Sequence, residues 1–289
     1  MPNSTAAVKG SGGRLAYKTG DSDDVNWSTG TVPAFPFLNE SLIKQESVID
    51  VNGIRGTRTH SNEQTREGTY TVGGTLTLIA SPGLLETWLP SILGTAKSAG
   101  GGVGGADRYT TAETLVEFGL LVDKLGAIFE YRDCQVGRAT FSGTKDQPIT
   151  LALEIQSLEQ ATESSWDANI GTIAVTAPFN PYVFHDLALT VDGHPTTPAN
   201  SFTLVIDNVL DVQHRQSQAP ATITPQDRIV TLSVEVPFNS GNYTEYYGTT
   251  VETSGTLRLT DGTYPCDFKM AHLNQTKQTP IVPGKAELG

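Results

Sequence analysis

The brevity of its apolar runs constrains this chain more than any other feature. Runs such as Tyr70–Ala80, Leu115–Val122, Ala127–Val136, Ile149–Leu158, Phe202–Val209, Ile229–Phe238 and Gly255–Thr260 are short, and several alternate. Clusters of Gly, Pro, Asn and Asp separate them. That is the profile of a β-sandwich or barrel. Composition agrees: 38 Thr and 29 Gly stand against 2 Met, and charged residues make up only 17%, below the roughly 25% of an average domain. With 289 residues the chain is long enough for one large β domain or two smaller units with a real core.

One segment breaks the strand pattern. Ser81 offers an N-cap, Pro82 suits the first helical position, and Leu84, Leu85 and Trp88 follow at helical spacing. The spacing predicts a short helix near 82–89, stopped or kinked by Pro90, with its Leu/Trp face against a sheet. Residues 1–40 are rich in Gly, Ser, Asn and Asp and read as an extended N-terminal arm, within which Trp27, Phe35 and Phe37 are able to dock elsewhere. Thr95–Ala106 reads as a flexible glycine loop. Ser164–Pro181 carries turn residues and two prolines, which sets a boundary near residue 175. The expected organisation is an arm at 1–40, a first β unit at 41–175, a second at 176–273 and a C-terminal arm at 274–289.

The two halves echo each other. Asp146–Ile155 and Asp227–Val236 share the pattern D-x-x-[IV]-T-L-x-[LV]-E-[IV], and Gly74–Leu78 resembles Gly255–Leu259. In each matched strand Leu151, Leu153 and Ile155, or Leu232, Val234 and Val236, turn to one side, and Thr150 and Glu154, or Thr231 and Glu235, to the other. Two readings stay open: chance similarity between low-complexity strands, and a tandem pair of related β units.

Chemistry-bearing motifs are sparse. The formal net charge is -12, which repels nucleic acid and anionic membranes. Cys134 and Cys266 supply neither a disulfide framework nor a thiolate zinc site, and separate buried thiols are the expectation. His60, His185, His194, His214 and His272 have no zinc-ligand spacing, so no metal is implied. The glycine run lacks the lysine of a phosphate loop, no GxSxG is present, and Asp21–Asp24 lacks the rest of a calcium loop. The expectation is a non-enzyme without cofactors. Met1–Tyr17 lacks the features of a secretion signal, and no run reaches membrane-spanning length, so the chain reads as soluble and not exported.

Ser41–Ser47, the polar stretch Arg55–Thr69, and Tyr70–Leu78 running directly into a helix resemble the opening of phage tail tube proteins. Phe129–Phe141 with its partner Ile149–Gln156 is similar to a later segment of the same family. The resemblance spans roughly residues 40–275. It implies a β-sandwich or partial barrel of tail-tube type with a flanking helix, and rings that stack into a hollow tail without catalysis. Six single units or three duplicated ones per ring both remain open. It further implies self-association, contact with tape-measure, terminator and distal tail proteins, and double-stranded DNA as passing cargo only. The location it implies is the virion tail, with assembly in the host cytoplasm.

Charge fits a conduit for a polyanion. Residues 1–144 carry 15 acidic and 12 basic side chains and residues 145–289 carry 16 and 7, giving -3 and -9. Glu154, Glu159, Glu235 and Glu252 are the expected lumen-facing carboxylates. Gly100, Gly101, Gly102, Gly104 and Gly105 are the expected ring-to-ring contact loop. The alternatives are a non-catalytic β-sandwich binding module, carbohydrate-binding or adhesin-like, with Trp27, Trp166 or Tyr243, Tyr246 and Tyr247 as platforms, and another tail or capsid component.

Overall fold

The structure, a computed structural model, describes residues 13–20, 27, 31–50, 65–99, 107–124, 126–163, 172–175, 180–191, 199–235 and 253–273. The expected C-terminal arm, 274–289, lies outside the described residues. In chain order the strands are β1 (Arg14–Thr19), β2 (Thr31–Ala34), β3 (Asn39–Glu40), β4 (Ile43–Asp50) and β5 (Thr65–Ile79). After helix α1 (Pro82–Leu93) come β6 (Phe118–Asp123), β7 (Ile128–Thr144), β8 (Thr150–Ser157), β9 (Glu159–Glu163) and β10 (Thr172–Val175). The last group is β11 (Ala188–Val191), β12 (Ser201–Asp207), β13 (Leu210–Gln213), β14 (Thr222–Pro225), β15 (Ile229–Glu235), β16 (Thr253–Leu259) and β17 (Cys266–Leu273).

The protein is mainly β, with a curled sheet that forms a partial barrel and one flanking α-helix among the described residues, the class expected from the alternating runs. Strand β7 is the spine of the sheet. Its first part pairs with β6 on one side and β9 on the other, and its second part with β12 and β8. A register shift between Val136 and Arg138 separates the two parts. Such a bulge bends a strand and increases its twist, which is how one long strand serves both halves of a curled sheet. Beyond β8 lie β5 and then β3 and β4, and beyond β12 lies β15. Within the segment expected to be an arm, β1 pairs along its length with β6, and β2 pairs with β1. The sheet also crosses the boundary expected near residue 175, because β12 pairs with β7 in full register from Ser201 opposite Thr144 to Asp207 opposite Arg138.

The concave side holds the core. Leu76, Leu78, Phe141, Leu151, Leu153, Ile155, Phe202 and Leu204 are all buried on it. A second, three-stranded sheet, β11-β16-β17, covers this side, with Leu189, Leu257 and Leu259 buried and the Phe268 ring 5.0 Å from Phe141. Helix α1 covers another part. Its Trp88 ring stands 4.8 Å from Tyr17, 5.5 Å from Phe118 and 6.2 Å from Phe35. Each such side chain removed from water contributes about 1.5–3 kcal/mol, so the helix and the first strand depend on each other.

Helix α1 begins where Ser81 and Pro82 place it, and the Leu85 amide donates to the Ser81 carbonyl at 2.9 Å. It does not stop at Pro90 but runs to Leu93. Proline removes the amide that would bond to the Glu86 carbonyl, and the Tyr109 hydroxyl approaches that carbonyl instead, at 3.5 Å. The last turn holds because distant residues satisfy its carbonyls. The Gly94 amide donates to Pro90 O, Asn208 Nδ2 to Ile92 O at 3.1 Å, and the Ala112 amide to Leu93 O. Gly94 takes a φ of 90°, and a Cβ there would lie 2.2 Å from the Thr114 carbonyl oxygen.

The sequence echo has a counterpart in the sheet. Leu151, Leu153 and Ile155 of β8 are buried and Glu154 is exposed; Leu232 and Val234 of β15 are half-buried, and Thr231 and Glu235 exposed. Glu154 pairs with Arg138 of β7, and the matching Glu235 pairs with Ser201 of β12. By the same step Phe141 corresponds to Leu204, and these two are direct partners across the β7–β12 pair. The antiparallel pairs β7–β8 and β12–β15 are therefore related by a local two-fold axis normal to the sheet. The second echo does not share it, since Gly74–Leu78 pairs with β8 whereas Gly255–Leu259 pairs with β11 and β17.

Candidate functional site

The most developed polar surface among the described residues is the convex face of β15-β12-β7-β8-β5. Alternation sets its composition, because every second residue of each strand points away from the core. On β7 these are Arg138, Thr140, Ser142 and Thr144. Thr140 stands opposite Ala152 and Val205, Ser142 opposite Thr150 and Thr203, and Thr144 opposite Ser201. The pattern continues outward to Thr231 and Ser233 on β15 and to Thr75 and Thr77 on β5. The face is thus a lattice of short hydroxyl side chains, tied in places by bonds such as Ser142 Oγ to Thr150 Oγ1 at 2.8 Å.

Its charges are few and fixed. Arg138 donates through Nε at 3.0 Å and Nη2 at 2.6 Å to Asp207 Oδ2, and through Nη1 at 3.2 Å to Glu154 Oε1. Burial pushes the Asp207 carboxyl up, but the bonds from Arg138 and the Val209 amide outweigh it and hold the group below the usual carboxylate range. Glu235 accepts from Ser201 Oγ at 2.9 Å. The face therefore carries three carboxylates and one guanidinium, which two of the carboxylates, Asp207 and Glu154, hold. Arg138, Glu154, Gln156 and Asp207, overhung by Leu210 and Val212, line a solvent-open hollow of about 320 Å³.

The structure brings two of the four expected carboxylates, Glu154 and Glu235, onto one face. Glu159 sits on β9 opposite Arg132, beside the first part of β7, with Arg132 Nη1 3.7 Å from its carboxylate. Glu252 and the glycines Gly100, Gly101, Gly102, Gly104 and Gly105 lie outside the described residues. At the base of that glycine segment Ser98 and Arg108 form a β-bridge, and Lys97 pairs with Glu86 and Asp107. Arg138 was not legible as a site residue. Its partners are 16 and 69 positions away, and the bulge at Gly137 resets which β7 residues face outward.

Trp27 is not an exposed platform. It is 6% exposed and its Nε1 donates to Glu130 Oε1 at 2.5 Å, because a buried indole needs an acceptor. Trp166, Tyr243, Tyr246 and Tyr247 lie outside the described residues. Among the described residues no three His, Cys, Asp or Glu side chains converge as a metal site would require. No helix among them is long and apolar enough to cross a membrane.

Fold and face together define a β-rich protein whose most developed surface is a broad sheet and not a cleft. The family model described as phage tail tube protein matches residues 10–286, and the chain belongs to that family. Its role is accordingly that of a structural component of the phage tail. No curated protein matches the chain.

Proposed function

We propose that this chain polymerises into rings that stack as the hollow tail tube, and that DNA passes along the convex face of β15-β12-β7-β8-β5 during ejection. The observation that carries this reading is the makeup of that face: short hydroxyls, three carboxylates, and one guanidinium already held by two of them. Every free cation on a conduit wall adds phosphate affinity through counterion release, and Arg138 is not free to offer it. Hydroxyls keep the wall hydrated without a positive charge. The finer reading also includes self-association, contacts with tape-measure, terminator and distal tail proteins, assembly in the host cytoplasm and no catalysis. The segment around Gly100, Gly101, Gly102, Gly104 and Gly105 is proposed to touch the next ring.

The two-fold relation of the echoing hairpins bears on ring order. Successive positions in a ring are related by a rotation that keeps strand direction, whereas β7 and β12 are equivalent and antiparallel. This supports one whole chain per ring position over two tandem units.

Electron microscopy of purified protein at low and high concentration tests the assembly, with rings and hollow tubes of uniform diameter expected and dispersed monomers at all concentrations counting against it. Thr140→Lys with Glu235→Lys tests the lumen. Assembly should survive and DNA passage should slow, less so at high salt; unchanged passage from assembled tubes contradicts the assignment.

A further inference from the structure

Among the paired residues of β15-β12-β7-β8-β5 Arg138 is the only basic one, and its side chain is 45% exposed. An exposed guanidinium is a strong phosphate ligand, because its planar fork matches the phosphate oxygens. Register places Asp207 of β12 and Glu154 of β8 directly opposite it, one on each side. Strand pairing itself therefore builds the clamp.

The two carboxylates hold the guanidinium unequally. Asp207 Oδ2 accepts from Nε at 3.0 Å and from Nη2 at 2.6 Å, and its other oxygen accepts from the Val209 amide at 3.0 Å. Its side chain is only 23% exposed. Glu154 accepts one bond at 3.2 Å and is 53% exposed. A single long bond between exposed groups contributes little against a competing anion, whereas two bonds to an anchored carboxylate are harder to displace. Asp207 is the fixed partner and Glu154 the loose one.

The local two-fold axis supplies an internal comparison. It carries Arg138 onto Ser201, Thr144 onto Asp207 and Glu154 onto Glu235. Ser201 Oγ donates to Glu235 at 2.9 Å, as Arg138 donates to Glu154. At the Ser201 end two hydroxyls stand beside one carboxylate, which leaves a charge of -1. At the Arg138 end one guanidinium stands between two carboxylates, which again leaves -1. The added cation is matched by an added carboxylate at position 207, where the other end has Thr144. The face carries the same charge at both ends because of Asp207.

Arg138 has a structural use at this place. It follows the bulge at Gly137 and bonds to residues of both neighbouring strands, so it spans β12, β7 and β8 where the spine bends. A cation that braces a conduit wall lies in the path of the polyanion, and each phosphate it reaches adds counterion-release affinity. Such a brace slows transit unless its charge is held elsewhere.

We propose that Asp207 is a positioning residue for DNA passage, holding the Arg138 guanidinium against the wall and away from passing phosphate, while Glu154 and Glu235 act only as wall charge. This rests on the lumen reading above. The test compares Asp207→Asn, Glu154→Gln and Glu235→Gln in virions whose tubes carry them, with DNA release timed by dye fluorescence. Each variant removes one negative charge. Asp207→Asn should slow release by about threefold or more at about 50 mM salt and largely recover at about 200 mM, because one phosphate contact loses about threefold in affinity over that range. The other two variants should stay near the wild-type rate. Adding Arg138→Met to Asp207→Asn should restore release; a merely structural defect would persist, since that double variant lacks the clamp altogether. Equal slowing by all three variants, or no restoration by Arg138→Met, overturns the proposal.

A second pair of variants moves the arrangement to the other end of the face and does not depend on how Asp207→Asn folds. Ser201→Arg places an arginine opposite Thr144 and Glu235 and should slow release, and adding Thr144→Asp should relieve it. Slowing that Thr144→Asp leaves unchanged overturns the proposal. Wild-type release from both Asp207→Asn and Ser201→Arg, with Thr140→Lys/Glu235→Lys slowed, overturns it and leaves the lumen reading standing. Wild-type release from Thr140→Lys/Glu235→Lys overturns the lumen reading itself.

Discussion

Truncating Asn208 to alanine should cost the protein much of its stability, and the structure supplies the reason. Asn208 is 1% exposed. Its Nδ2 donates to Ile92 O at 3.1 Å and Val136 O at 3.0 Å, and its Oδ1 accepts from Arg228 Nε at 2.8 Å. One side chain thus joins the end of α1, the spine strand β7 and the guanidinium that also donates to Ala112 O at 2.9 Å. Alanine leaves two buried carbonyls and one guanidinium N–H without partners. At about 1 kcal/mol for each neutral bond and about 2 for the charged one, the loss is about 4 kcal/mol. A domain of this kind is stable by only about 5–15 kcal/mol. Urea unfolding followed by circular dichroism, at a concentration where the protein is monomeric, measures it as a lower midpoint at unchanged slope. Arg228→Ala should cost less, and the double variant less than the sum, because the two share a bond. An Asn208→Ala loss below about 1 kcal/mol, or strict additivity, would refute the reasoning behind the helix-end network.

Three further outcomes follow from local geometry. Gly94→Ala should destabilise by about 2 kcal/mol or more, since φ is 90° and the new Cβ meets the Thr114 carbonyl; thermal unfolding reads it, and an unchanged midpoint is the contrary result. Asp267, Asp207 and Asp261 are held below their usual values, Asp267 first by its bond from Arg258, Asp207 by Arg138 and the Val209 amide against burial, and Asp261 first by the Tyr264 amide. A depressed carboxyl stabilises the fold above its unfolded value of about 3.9 and loses that contribution as pH falls through its folded value. Unfolding free energy should therefore drop below about pH 4, and Arg258→Met should flatten the drop. Burial pushes the thiols of Cys134 and Cys266 up to about 12, but Cys134 is fully buried and Cys266 only half-buried, so native protein at pH 8 should resist alkylation at Cys134 more than at Cys266 and urea-unfolded protein should react at both; rapid labelling of Cys134 in native protein contradicts its burial.

Alternation was readable wherever a strand buries one face. β8 and β12 follow it residue by residue, and from it came Glu154 and Glu235 on one side. Strand β1 was not readable as sheet because both its faces are covered. Leu15 and Tyr17 belong to the main core and Ala16 to a second cluster with Trp27, Val32, Leu121 and Ile128, so no period appears in so short a run. The start of α1 was legible in Ser81 and Pro82, which act locally. Its continuation past Pro90 was not, since Asn208 and Arg228 act from more than a hundred residues away. The same holds for the candidate face. Its threonines and serines were visible as alternation, but the clamp on Arg138 exists only once a bulge has turned β7 and β12 has come alongside.

Cryo-electron microscopy of assembled tubes tests the central claim most directly. The account expects Thr140, Ser142, Glu154 and Glu235 on the lumen wall, with Arg138 still held between Asp207 and Glu154. A reconstruction that turns this face outward or buries it between subunits would contradict the claim.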